Sequence, residues 1–277
     1  MAQILFLFGL YVFGVYFGTL FKREIPVYVI ASSGFLWGAL FWVIGGIVTL
    51  MISIPYTPVS MAVYFSLLLL GFGILHARNQ TWHFSRVDFL DLLPAVVLFT
   101  LVLILTSQFN FSYVSSDSIS QLTTGRRIAY EGFSAGVIEE LSLRGVFLSQ
   151  LQSASVFLKV DYLVALQPAF GISFIGSFFF LSYHILSRLI SNQRLAWVLA
   201  ILGGLATFST YFVVFQFFYI HNSLISAVYL FVAVVGFWLA SIEKEDSWMI
   251  LGTLALLGFS LARNEAPLFG LIFLVPV

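Results

Sequence analysis

Long stretches without one charged side chain alternate with short polar breaks along this chain. Residues 1–21, 25–77, 92–116, 162–187 and 195–242 contain no Asp, Glu, Lys or Arg. A helix needs about 20 apolar residues to cross the hydrocarbon core of a bilayer, so 25–77 and 195–242 are each long enough for two. The pattern predicts about eight spans: Ile4–Phe21, Val27–Ile52, Val59–His76, Phe89–Thr106, Ile128–Leu151, Leu163–Leu189, Ala196–Ile220 and Leu224–Ser241. A ninth apolar stretch covers Trp248–Leu261. Breaks fall at Lys22–Pro26, Pro55–Pro58, Arg78–Asp88, Glu243–Asp246 and Asn264–Pro267. Most prolines stand at these edges, where a missing N–H is tolerated. The expected fold is all-α, a polytopic transmembrane bundle forming a single membrane domain over 1–277, with no internal repeat.

Composition agrees with the pattern. Of 277 residues, 61% are hydrophobic and 9% charged, with a mean hydropathy of +1.05. Soluble domains carry about 25% charged residues, so this chain cannot cover a water-facing surface. Formal net charge is zero, and no basic patch or tail points to nucleic acid. The absence of Cys excludes disulfides and thiolate chemistry. The N-terminus lacks a basic segment before its apolar run and reads as a retained first span, not a cleaved signal peptide. Lys22, Arg23, Arg78 and Arg86 fall on one side of the membrane. Counting onward through every predicted span puts Arg188 and Arg194 on the other, so either one segment does not cross or the positive-inside rule fails there.

Against this background, Glu139, Glu140 and Arg144 in "VIEELSLRG" stand out, because ionisable groups at membrane depth are costly and usually functional. Read as one helix from Arg126 to Leu151, the segment carries Gly132, Gly136, Glu140 and Arg144 on one face. Gly132 and Gly136 form a GxxxG step for close helix approach. Glu140 and Arg144 form an i,i+4 pair in the favourable order. Glu139 lies about 100° around the helix. With Arg144 neutralising Glu140, Glu139 is left free to act as a general base. The plainer alternative is a structural Glu140–Arg144 pair with Glu139 a bystander near an interface.

Two histidines lie further on. Ser173, Ser177, Phe180, His184 and Arg188 share one helical face, and such a stripe is expected to face protein, not lipid. His184 suits a role in orienting water, stabilising an oxyanion or binding metal; a satisfied buried histidine is the plainer reading. His221 in "FFYIHNSLIS" stands at a boundary between spans, where Asn222 or Ser223 suits an N-cap, or inside one longer helix. His76 and His83 read as members of a solvated interfacial turn.

Glu-Glu-x-x-x-Arg (Glu139, Glu140, Arg144) followed by Phe-x-x-x-His (Phe180, His184) resembles the CAAX protease and bacteriocin-processing family of intramembrane proteases, related to the Ras-converting prenyl-protein endopeptidases. The likeness covers about residues 125–240. It implies proteolysis in a membrane-embedded cavity. Glu139 would be the water-activating base, Glu140 and Arg144 would set its electrostatics, and His184 and His221 would hold the water or the scissile carbonyl, with Phe180 and Asn222 in support. A metal-free site is mildly favoured; two histidines and a glutamate also suit a zinc shell. The departure is in the third motif, His-x-x-x-Asn. His221 matches its histidine, but Ile225 stands where the asparagine belongs, and loss of one oxyanion donor costs on the order of 100- to 1000-fold in rate.

Three readings follow. The first is an intramembrane endopeptidase acting on a peptide or lipid-modified protein within the bilayer, in the plasma (inner) membrane if the source is bacterial. The second is a catalytically weakened or inactive relative serving as a membrane scaffold or regulator. The third is a proton-coupled transporter in which Glu131, Glu139, Glu140, His184 and Arg188 form a relay.

Overall fold

The computed structural model describes residues 1–81, 85–109 and 112–263, and leaves aside the side chains of Leu143, Arg144 and Phe212. The described residues fold into thirteen α-helices: α1 Ala2–Gly18, continued by a 3-10 turn Thr19–Phe21, α2 Val27–Met51, α3 Pro58–Asn79, α4 Arg86–Gln108, α5 Ser116–Glu131, α6 Ala135–Arg144, α7 Phe147–Gln152, α8 Ala154–Phe157, α9 Leu166–Leu189, α10 Gln193–Phe208, α11 Tyr211–Gln216, α12 Asn222–Glu243 and α13 Asp246–Ala262. Six stretches, Ala2–Phe21 and the helices α2, α3, α4, α9 and α12, are long and apolar enough to cross a membrane, while α10 and α13 are shorter apolar helices. This architecture is compatible with an integral membrane protein.

The tightest contact joins α1 to α2. A Cβ on Gly14 would collide with the Gly34 carbonyl oxygen, and one on Gly38 with the Leu10 carbonyl. Only glycine permits backbones this close, as in GxxxG packing. The predicted GxxxG at Gly132 and Gly136 does not pack a helix: a Cβ on Gly132 would meet nothing within 4 Å, and one on Gly136 meets only the Arg127 side chain. Gly132 instead takes φ +65° as it ends α5.

The predicted span Ile128–Leu151 is therefore corrected. Gly132 and Gly145, both at positive φ, divide it among α5, α6 and α7, none of them among the helices long enough to cross. Residues 113–163 form a shelf that starts and finishes at one end of the bundle, since Ser112 Oγ donates to the Val164 carbonyl at 3.3 Å; its helices α5 and α6 carry the polar side chains, while α7 is buried in the core. Here α5 packs against α7, with Gly125 close to the Ser149 carbonyl. The predicted span Ala196–Ile220 is likewise broken, at Ser209–Thr210 between α10 and α11.

With the shelf removed from the count, α1 begins and α2 ends at the shelf end, and α9 and α12 begin there. The same alternation carries Lys22, Arg23, Arg78, Arg86, Arg188 and Arg194 to the opposite end, and the conflict in the positive-inside count disappears. The Lys22–Asp88 ion pair at 3.6 Å ties the end of α1 to the start of α4. His76 also differs from expectation. It is buried, with Nε2 3.1 Å from the Tyr16 carbonyl and Nδ1 2.5 Å from Thr81 Oγ1. His83 lies outside the described residues.

Candidate functional site

The polar chemistry divides between the two ends of the bundle. On the shelf, α5 is a strut. Ser115 caps it, accepting from Ser118 N–H, and bonds the Tyr219 hydroxyl at 3.0 Å. Ser118 Oγ donates to the Ile220 carbonyl at 2.8 Å. Tyr113 N–H donates to the Phe218 carbonyl at 2.8 Å, and Ile220 N–H to the Tyr113 carbonyl at 3.3 Å. These bonds lock the start of α5 onto the segment that leads into His221.

Two turns further along, about 9 Å from Ser118 along the axis, α5 holds the glutamates of α6. Thr124 Oγ1 donates to Glu140 Oε2 at 2.7 Å, and Arg127 Nη1 donates to Glu140 Oε1. Arg127 also clasps Glu131 with both carboxylate oxygens, at 3.3 and 3.2 Å. Those bonds hold the Glu131 carboxyl below the ordinary carboxylate range, aided by the Arg127 charge and by Ser134 against partial desolvation. Arg127 from the preceding helix is thus one partner of Glu140. The Arg144 side chain, expected in that role, lies outside the described set. Glu139 is exposed and has no side-chain partner among the described residues.

His221 itself caps α12. Its Nδ1 accepts from Ser223 N–H at 3.2 Å and lies 2.7 Å from Ser223 Oγ, while its ring stacks on Tyr219 at 5.4 Å and 5°. Arg263 Nη2 donates to the same Ser223 hydroxyl at 3.4 Å. Asn222 Oδ1 accepts from Leu148 N–H at 3.3 Å, so it braces α7. Ile225, at the position of the missing asparagine, is fully buried in the core as a packing residue.

His184 is elsewhere. The α9 stripe does face protein, with Ser173, Ser177 and His184 all buried, but its polar terminus is the far end of α12. His184 Nε2 lies 2.8 Å from Glu243 Oε1. Arg188 Nη2 lies 3.3 Å from the same oxygen, and Trp248 Nε1 donates to Glu243 Oε2 at 2.9 Å. Phe180 sits one turn back, its ring 5.3 Å from Tyr28 and 6.4 Å from Trp197. Glu243, which the sequence offered only as a break between spans, is the residue that sequence reasoning missed. Its signal was a lone acid ending an apolar helix five residues before a tryptophan.

His221 and His184 consequently stand at opposite ends of α12, whose 22 residues span about 33 Å. The structure brings His221, Asn222, Glu139 and Glu140 to the shelf end and leaves His184 and Phe180 at the other. The expected single constellation of glutamates and both histidines is corrected to two separate clusters. The relay expected from Glu131, Glu139 and Glu140 to His184 and Arg188 is likewise divided, its glutamates on α5 and α6 and its His184 and Arg188 around Glu243. Among the described residues no three His, Asp or Glu side chains converge as a metal-ligand set, and a zinc shell using both histidines does not fit this geometry.

No family model, curated protein or solved structure matches this chain.

Proposed function

We propose that the protein is a membrane-embedded scaffold or regulator whose working surface is the shelf formed by α5, α6 and the segment leading into His221. One observation carries this reading: His184 is engaged with Glu243, about a full helix length from His221. A peptidase that needs the glutamates and both histidines around one water is not favoured by this separation of His184 from His221. The shelf offers instead a rigid polar platform, braced by Arg127, Glu131, Glu140 and Thr124, above an apolar bundle.

A second reading is favoured by Glu139 itself. It is exposed beside a Glu140 fixed by Arg127, so a carboxylate remains available for acid–base chemistry at the shelf surface, with His221 at the same end. The test is turnover. Purified protein in vesicles is offered quenched peptides, with and without a prenylated C-terminus, alongside Glu139→Gln. The scaffold reading expects equal, background-level cleavage from both. Cleavage by the wild type that disappears in Glu139→Gln overturns it in favour of hydrolysis on the shelf. Glu139→Gln should itself change stability by no more than about 0.5 kcal/mol, as for an exposed side chain making no specific contact, so lost turnover would report chemistry.

A further inference from the structure

A small cavity of about 40 Å³ lies where α1, α2, α4 and α9 meet. Tyr11 of α1, Ser32 of α2, Ala95 and Phe99 of α4, and Ser173 and Gly176 of α9 are among its lining residues. Tyr11 stands halfway along the Ala2–Phe21 stretch, so the cavity is near the middle of the apolar layer. Its walls are packed against one another. The Tyr11 ring stacks on Phe99 at 4.3 Å and 16°. A Cβ on Gly176 would lie 3.0 Å from Ser32 Cβ, so α9 and α2 are in close contact beside it.

Two hydroxyls are buried at this junction without a partner. Tyr11 and Ser173 are each 2% exposed, and neither oxygen makes a hydrogen bond among the described residues. A serine inside a helix can bond the carbonyl four residues back, as Ser226 does at 2.7 Å; Ser173 does not. Ser32 supplies a third oxygen. Its hydroxyl donates to the Val29 carbonyl at 2.9 Å, which leaves its lone pairs able to accept. Burying unpaired hydroxyls in an apolar layer is costly. A buried water needs roughly 10–15 Å³ of room and two to four polar partners. The cavity has that room, and its hydroxyls come from three different spans, two with a proton to donate and one ready to accept.

We infer that this cavity binds an ordered water molecule, which accepts from Tyr11 and Ser173 and donates to Ser32, tying α1 and α2 to α9 inside the membrane. X-ray radiolytic labelling tests it, because hydroxyl radicals formed from a bound water oxidise the side chain beside it. Tyr229 is the internal control: it is fully buried and its hydroxyl already donates to the Leu36 carbonyl at 2.5 Å. Wild-type protein in lipid nanodiscs is irradiated in millisecond pulses, and added oxygen is located by tandem mass spectrometry. The expected result is labelling of Tyr11 with Tyr229 unlabelled. Two variants fill the cavity from different helices, Ser173→Val and Ala95→Val, and both are expected to lose the Tyr11 label while Tyr229 stays protected. Ser177→Ala, which removes a buried, unpartnered serine that does not line the cavity, should keep it. A wild-type Tyr11 as protected as Tyr229 overturns the site and means a dry cavity or a direct contact between the hydroxyls. Equal labelling of Tyr11 and Tyr229 overturns it too, as does a Tyr11 label that persists in both filled variants, since the radicals then arrive from elsewhere. Loss of the label from Ser177→Ala would do the same.

Discussion

His184 Nε2 lies 2.8 Å from Glu243 Oε1, and the two side chains are only 5% and 7% exposed. The carboxylate also accepts from Trp248 and pairs with Arg188, so one acid satisfies three donors from α9 and α13. Removing it strands the buried His184 and Trp248 donors, while the 60% exposed Arg188 turns to water. Breaking a buried pair by deleting one partner costs about 3–5 kcal/mol, and Glu243→Ala is expected in that range by denaturant unfolding in detergent. His184→Ala should cost less, because Arg188 and Trp248 still hold the carboxylate. Near-additive effects in the double variant would contradict the direct pairing.

The Arg127–Glu140 pair should act as a local clasp and contribute little globally. Glu140 is 41% exposed and Arg127 32%, and exposed ion pairs contribute about 0–1 kcal/mol. Glu140→Ala and Arg127→Ala are each expected to speed amide exchange across α6 while moving the global unfolding midpoint only slightly. Unchanged exchange in α6 would mean that the pair does not anchor it.

Acid should loosen α5. The folded Glu131 carboxyl is held below its ordinary value chiefly by hydrogen bonds from Arg127. A group with a depressed folded value contributes stability that is present above its unfolded value and is lost as pH falls through the folded one. Amide exchange at the end of α5 is therefore expected to rise below the ordinary glutamate range, with Glu131→Gln removing that acid dependence. High salt should weaken the effect as well, since the pair is solvent-facing.

Two glycines should tolerate no side chain. Gly145 has φ +79°, and its Cβ would lie 2.6 Å from the Ala262 carbonyl oxygen. Strain at such a position costs on the order of 1–3 kcal/mol, and the clash adds to it. Gly145→Ala should thus destabilise more than Gly132→Ala, which has positive φ but open space. Gly38→Ala is expected to pry α1 from α2 and lower the yield of folded protein; wild-type thermal stability for it would refute the close packing.

The all-helical character and most span positions were legible because apolar runs and their polar breaks report directly on lipid burial. The protein-facing stripe of Ser173, Ser177 and His184 was legible from spacing alone. The shelf was not: Ile128–Leu151 has a span's length with Glu131, Glu139, Glu140 and Arg144 set in it, and periodicity does not report the turns at positive φ that Gly132 and Gly145 supply. A one-dimensional reading offered Glu140 its i,i+4 neighbour. The turn at Gly132 also delivers Arg127, thirteen residues upstream, a partner that no helical periodicity signals. Glu243 was invisible as the partner of His184 because their sequence separation of 59 residues carries no periodic signal.

The contact of Gly14 with Gly34 and Gly38 has a consequence for cooperativity. With no side chain between them, the two backbones leave no room to slide past one another, so α1 and α2 are held as a single unit. Helices α4 and α9 both pack on that unit, so a change that loosens the glycine seam loosens every helix that rests on it.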